Sequence, residues 1–211
     1  AAGAMSLETA VRLVRFRAEA MQSAVPVGVG GMAAVIGLAD NAVEAAVAEA
    51  RETGRVEAVN FNAPGQVVIA GEKAAVARAI ECAKARGCRR AIELPVSAPF
   101  HSSLMQPAAD KLAARLAETE IQVPAIPVIA NIDVEVHETP DAIREALARQ
   151  AAGAVQWVRT IERMKAAGIT DIVECGPGKV LTGLLRRTAP EINGHNIFDA
   201  ASLAAVLEKL N

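Results

Sequence analysis

Hydrophobic and polar positions fall into two rhythms along this chain. Residues 6 to 24 place apolar side chains at helical spacing. At about 100° per residue, Leu7, Val11, Val14, Ala18 and Met21 share one face, with Ser6 as the cap. From 28 to 96 the units are short. "GGMAAVIGL" reads as a strand and "DNAVEAAVAEARETG" as a helix capped by Asp40 or Asn41. "VEAVNFN" and "QVVIAG" form a hairpin around Pro64-Gly65. "EKAAVARAIECAKARG" is a second helix, closed by Gly87, and "RRAIELPV" a last strand. The order β-α-β-β-α-β is that of a ferredoxin-like lobe.

After residue 100 the units lengthen. "SSLMQPAADKLAARLAE" is helical, with Met105, Ala108, Leu112 and Leu116 on one stripe. "IPVIANID" reads as a strand, "TPDAIREALARQ" and "VQWVRTIERMKAAG" as helices, and "DIVEC" as a short buried strand. "GKVLTGLLRRT" is a helix, "HNIFDA" a strand and "SLAAVLEKL" a final helix. Strands alternating with helices imply a parallel sheet and an α/β class. The division expected is a lobe built from 1–27 and 97–211, with 28–96 inserted as the small lobe.

Composition sharpens this picture. The 211 residues are 52% hydrophobic but only 2% aromatic, so Ala, Val, Ile and Leu must pack the core. A net charge of −2 without a basic, aromatic-laced run argues against nucleic-acid binding. No apolar run is long enough to span a bilayer, and no basic n-region precedes an apolar stretch. Cys82, Cys88 and Cys175 form no CxxC and no zinc spacing, so reduced thiols in a cytoplasmic protein are expected. The opening "AAGAMSLETAV", without Met at position 1, reads as the middle of a longer protein.

Three stretches carry candidate chemistry. In "PVSAPFHSS", Pro95 and Pro99 favour extended chain, and Ser102 or Ser103 is placed to cap the next helix. His101 then sits at a strand-to-helix junction, where a nearby helix N-terminus keeps imidazole neutral and able to accept a proton. From one histidine alone, a surface or capping role is the commoner explanation. Arg17 flanks the apolar stripe of its helix, between Ala10 and Leu13, whereas Arg12, Arg15 and Glu19 face solvent. An arginine beside a buried face wants a carboxylate or phosphate, and a structural ion pair would serve equally. In "VNFNAPGQ", alternation turns Val59 and Phe61 one way and Asn60 and Asn62 the other. The two amides could line a pocket or simply hydrogen-bond the turn.

Other motifs fail. "ECGPGKVLTG" lacks phosphate-loop spacing, and Val180 stands where the hydroxyl belongs. None of Ser6, Ser23, Ser97, Ser102, Ser103 or Ser202 lies in a G-x-S-x-G elbow. Cys175 has no evident base. A base and a carboxylate clamp are present without a marked nucleophile.

"AVRLVRFRAEAMQ", "GGMAAVIGL", "VNFNAPGQVVIAG", "LPVSAPFHSSLMQPAADKL", "ARQAAGAVQWVRTI" and "ECGPGKVLTGLLRR" together resemble the malonyl-CoA:acyl carrier protein transacylase family of bacterial type II fatty acid synthesis. The resemblance runs the length of the chain. It implies an α/β-hydrolase-like lobe with a ferredoxin-like insert, and ping-pong malonyl transfer through a seryl intermediate. It further implies His101 as the histidine that activates the serine, and Arg17 as the arginine that binds the malonyl carboxylate. Gln150 would orient the imidazole through its backbone carbonyl, and Phe100 would crowd an α-methyl group. Asn60 and Asn62 would lie close to the acyl pocket. Malonyl-CoA and an acidic acyl carrier protein are the implied substrates, with Arg89, Arg90 or Arg186 guiding the latter. No metal or cofactor is implied.

The same family carries Gly-Gln-Gly-Ser-Gln and a Gly-His-Ser-Leu-Gly-Glu elbow, and neither stretch occurs here. The expectation is therefore a chain lacking the N-terminal segment with the serine and part of the oxyanion hole. Alone it would be inactive, unstable and left with an exposed sheet edge, and that segment becomes a further partner. The competing reading is a non-catalytic remnant whose small lobe serves binding or assembly.

Overall fold

A computed structural model describes residues 1–210 as a mixed α/β fold that divides into two units, residues 1–156 and residues 157 onward. No helix among the described residues is long and apolar enough to cross a membrane.

The first unit is organised around a four-stranded antiparallel sheet, β1 (Gly30–Ile36), β2 (Val56–Ala63), β3 (Gln66–Glu72) and β4 (Arg90–Glu93), in the order β2-β3-β1-β4. Two crossovers, α2 (Asp40–Ala50) and α3 (Lys73–Ala85), cover one face. Strand alternation sends Val35, Val56, Val67 and Ile69 to meet Val43, Val47, Val76 and Ile80 there. The other face is also buried. Met32, Val59, Val68 and Ala70 pack with Leu94, Val96 and Phe100, which brings the segment before His101 onto the sheet. Gly30 permits this approach, because a Cβ there would collide with Cδ of Pro99.

Three helices complete the unit: α1 (Leu7–Gln22), α4 (Gln106–Ala117) and α5 (Pro140–Ala152). Their shared core includes Met21, Met105, Leu112, Leu116 and Ala151, with Leu13, Phe16 and Phe100 at its margin. Arg144 of α5 donates to the carbonyls of Leu116 and Thr119 and so caps the end of α4.

Ser6 does cap α1, accepting from the Thr9 amide. Yet the α1 stripe named from sequence is not its packed face, since Leu7, Val11 and Val14 are 81%, 59% and 64% exposed and Met21 alone of the larger members is buried. The helix rests instead on Leu13, Phe16, Ala20 and Met21, which lie about one-third of a turn round the helix. Ala39 occupies the cap of α2, with no side-chain hydrogen bond, so neither Asp40 nor Asn41 caps it.

Residues 126–133 form no strand. Only an isolated pairing of Ile129 with Val136 survives there. Pro124 and Pro127 interrupt the donors, and Ile126 and Val128 remain about half exposed, so no ladder can build. A bulge between Ala58 and Asn60 breaks the alternation in β2. As a result Val59 packs on one face of the sheet and Phe61 on the other.

The second unit pairs β5 (Asp171–Cys175) with β6 (Asn193–Ile197) in parallel, flanked by α6 (Trp157–Ala166), α7 (Val180–Thr188) and α8 (Ala200–Leu210). Ile161, Leu185, Ala189 and Ile192 form its core. Neither strand has a third partner among the described residues.

Candidate active site

The segment Ala98–Met105 turns from the sheet into α4 through a short 3-10 turn at Ser103–Met105. His101 sits at its apex with φ of +64°, the left-handed region that side chains with a Cβ enter only when the surroundings hold them there. What holds it is a set of short bonds. The Ser102 hydroxyl donates to the Pro99 carbonyl at 2.7 Å and is buried. The Ser102 carbonyl accepts from the Met105 amide. Ser102 is therefore spent on the turn and makes no side-chain cap, and Ser103 starts the 3-10 turn rather than capping α4.

The ring of His101 is fixed from α5. Its Nδ1 lies 2.9 Å from the Gln150 carbonyl oxygen, so Nδ1 carries the proton and Nε2 presents its lone pair. The Gln150 side chain contributes as well. Its amide donates to the carbonyls of Gly153, at 3.1 Å, and Ala154, so it closes the end of α5 and sets the direction of its own carbonyl. Burial pushes the imidazole pKa below its ordinary value, and the charge of Arg17 pushes the same way. The hydrogen bond to the Gln150 carbonyl opposes the shift more strongly than the Arg17 charge adds to it, and the Gly153 carbonyl opposes it least, but burial outweighs them. The ring is a neutral base at pH 7.

Arg17 lies on the packed flank of α1, half-buried, and burial lowers the pKa of its guanidinium, which nonetheless stays charged. No carboxylate pairs with it among the described residues, in contrast to Arg12 with Glu8 and Arg15 with Glu19. A half-buried, unpaired cation whose field reaches a neutral imidazole can receive an anion. Phe100, next to His101, packs against both the sheet and the helical core. Asn60 and Asn62 are half-buried on β2, and the backbone of Asn60 pairs with Val155, five residues beyond Gln150.

Two features lay outside the sequence reading. Glu57 accepts from both the amide and the hydroxyl of Ser103, across 46 positions of sequence. Glu174 accepts from the amides of Leu181 and Thr182 and from the Thr182 hydroxyl. With these first-turn amides of α7 already donating to a carboxylate from β5, they are not free to bind a phosphate.

The chain is a member of the acyl transferase domain family, which it matches over residues 1–208. It is 49% identical over 207 residues to the malonyl CoA-acyl carrier protein transacylase of Escherichia coli K12, covering 98% of this chain and 67% of that protein. Identity to the Bacillus subtilis transacylase is 39%, with all of this chain and 67% of the relative covered. Among solved structures, the acyl-carrier-protein S-malonyltransferase of Burkholderia pseudomallei 1710b superposes with a TM-score of 0.96. It is 56% identical, over 98% of this chain and 67% of that one. A malonyl-transacylase in complex with a type II PKS acyl-carrier protein superposes equally well at 45% identity, over 99% and 67% of the two chains.

Proposed function

We propose that this chain carries the base and the substrate clamp for transfer of a malonyl group from malonyl-CoA to the phosphopantetheine thiol of an acyl carrier protein. The observation that carries the reading is the unpaired Arg17 guanidinium beside the neutral, Gln150-oriented His101. A purely structural module would have no use for that pair, since an unpaired half-buried cation costs stability.

In the first half-reaction His101 Nε2 takes the proton of a serine hydroxyl as the oxygen attacks the thioester carbonyl. The tetrahedral adduct collapses to a seryl ester, and the CoA sulfur leaves with the proton from His101. In the second, His101 deprotonates the carrier-protein thiol, which attacks the seryl ester, and the proton returns to the serine oxygen. Arg17 binds the free malonyl carboxylate in a forked pair throughout, which favours malonyl over uncharged acyl groups. Phe100 limits bulk at the α-carbon, and Asn60 and Asn62 border the acyl group. The reaction needs no cofactor beyond malonyl-CoA as substrate.

Because no serine of these 211 residues lies in an elbow, the nucleophile is assigned to a segment outside them. The 211 residues by themselves are then inactive. In lobe terms, residues 28–96 form a ferredoxin-like insert, supported by the strand order β2-β3-β1-β4, within an α/β-hydrolase-like lobe of 1–27 and 97–211.

The test is exchange of labelled CoA into malonyl-CoA by the protein carrying its serine, with no carrier protein present. A ping-pong route through a malonyl-enzyme supports exchange. Transfer that occurs only when carrier protein is added, with no exchange, overturns the intermediate.

A further inference from the structure

The hydrogen bond between His101 and Gln150 joins two elements that are 49 residues apart in sequence, and one strand touches both. At one end of β2, the Glu57 carboxylate accepts the Ser103 amide at 2.9 Å and the Ser103 hydroxyl, two residues beyond His101. At the other end, the Val59 carbonyl accepts from the Val155 amide at 2.8 Å, and the Phe61 amide donates to the Val155 carbonyl at 3.0 Å. Val155 follows the same loop that the Gln150 side chain closes at Gly153 and Ala154. The bulge between Ala58 and Asn60 allows β2 to serve both.

We infer that Glu57 is a positioning residue for His101, holding the strained turn so that the imidazole keeps its bond to the Gln150 carbonyl. The inference rests on the reading of His101 as the base. The physical need is plain. A left-handed, non-glycine residue returns to ordinary backbone angles unless its neighbours prevent it, and the residue two positions on is the natural place to fix the turn. The carboxylate satisfies two donors at the start of the 3-10 turn and α4, where a negative charge is also favoured by the helix. The Val155 pairing holds the carbonyl side through backbone bonds that no side-chain substitution removes, and Glu57 is the β2 side chain that hydrogen-bonds the turn.

The test compares wild type, Glu57→Gln, Glu57→Ala and Ser103→Ala in the protein carrying its nucleophile. Each is labelled with ¹⁵N-histidine and observed at about pH 8, above the ordinary imidazole pKa. The ring-nitrogen shifts of His101 report its tautomer without turnover, so the result stands apart from whether His101 is the base, which a His101→Ala transfer assay decides. Glutamine can accept the Ser103 amide and donate to its hydroxyl, so Glu57→Gln retains the Nδ1–H tautomer and activity within about threefold. Glu57→Ala gives a mixed tautomer, with kcat reduced about tenfold or more and KM nearly unchanged. Ser103→Ala removes one of the two bonds, endangers folding least and falls between them. An unchanged tautomer in Glu57→Ala, or in Ser103→Ala should Glu57→Ala not fold, overturns the inference. Equal impairment of the glutamine and alanine variants also overturns it, because the two bonds to Ser103, which glutamine keeps, would then not be what holds the turn.

Discussion

The imidazole of His101 donates from Nδ1 to the main-chain oxygen of Gln150 at 2.9 Å, which leaves Nε2 as the free acceptor on a ring that burial and Arg17 keep neutral. That one bond selects the tautomer and aims the lone pair.

Its pH consequence has a definite sign. The folded-state pKa of His101 is depressed below the ordinary value of about 6.5, so between the two values the unfolded chain holds a proton that the folded chain does not. The corresponding stability is present above about pH 6.5 and is lost as pH falls through that window. Urea melts of wild type and His101→Asn should therefore diverge on acidification, with wild type losing more. The acid limb of kcat/KM for malonyl transfer should inflect below about pH 6.5.

Arg17 should govern charge selection. Arg17→Ala is expected to lower kcat/KM for malonyl-CoA about 10- to 100-fold, the worth of a charge-assisted bidentate pair, and to leave slow acetyl transfer little changed. Arg17→Met should raise the melting temperature, since it replaces a half-buried unpaired cation with an apolar side chain of similar length. Equal losses for malonyl and acetyl thioesters would remove the clamp assignment.

Gly30 links the sheet to the site. Gly30→Ala drives a methyl into the Pro99 ring, which should destabilise the protein by about 1–3 kcal/mol as an overpacked contact. Because Pro99 begins the turn that carries His101, kcat should fall with it. Denaturant melts and steady-state kinetics on one preparation measure both.

At Phe100, shortening the side chain should admit a branched acyl group. Phe100→Ala is expected to improve methylmalonyl over malonyl transfer by about tenfold, the scale of one methyl group in a pocket. A selectivity ratio that does not move would remove Phe100 from the specificity assignment.

Arg89, Arg90 and Arg186 are exposed, and each is a separate candidate to guide the acidic carrier protein of the proposed reaction. Replacing each with Ala should slow association mainly at low ionic strength and leave malonyl loading intact. Carrier-protein affinity that is unchanged at low salt would exclude them from docking.

The helices and the β-α-β-β-α-β run were legible in the chain because their periodicities are long and their turns carry Pro-Gly or Gly signals. The packed side of α1 was not. Leu7, Val11 and Val14 are as apolar as Leu13 and Phe16, and only the position of α4 decides which flank is covered. The stretch 126–133 has strand-like residues, but a strand exists only with a partner and Pro127 removes a donor. At the site, the type and place of His101 and Arg17 could be read locally. The partnership of His101 with Gln150 came only from family resemblance, and Glu57 went unnoticed. A glutamate 46 residues from its serine on an unremarkable strand gives no local signal, and the fold alone brings them together.

The measurement that bears most directly on the central claim is intact mass with peptide mapping after brief incubation with malonyl-CoA, for wild type and His101→Ala. The account predicts one malonyl group on a serine outside the 211 residues, absent or greatly slowed in His101→Ala, and no adduct on the 211-residue chain alone. A malonyl group on a serine within these residues, or one formed at the same rate without His101, would contradict it.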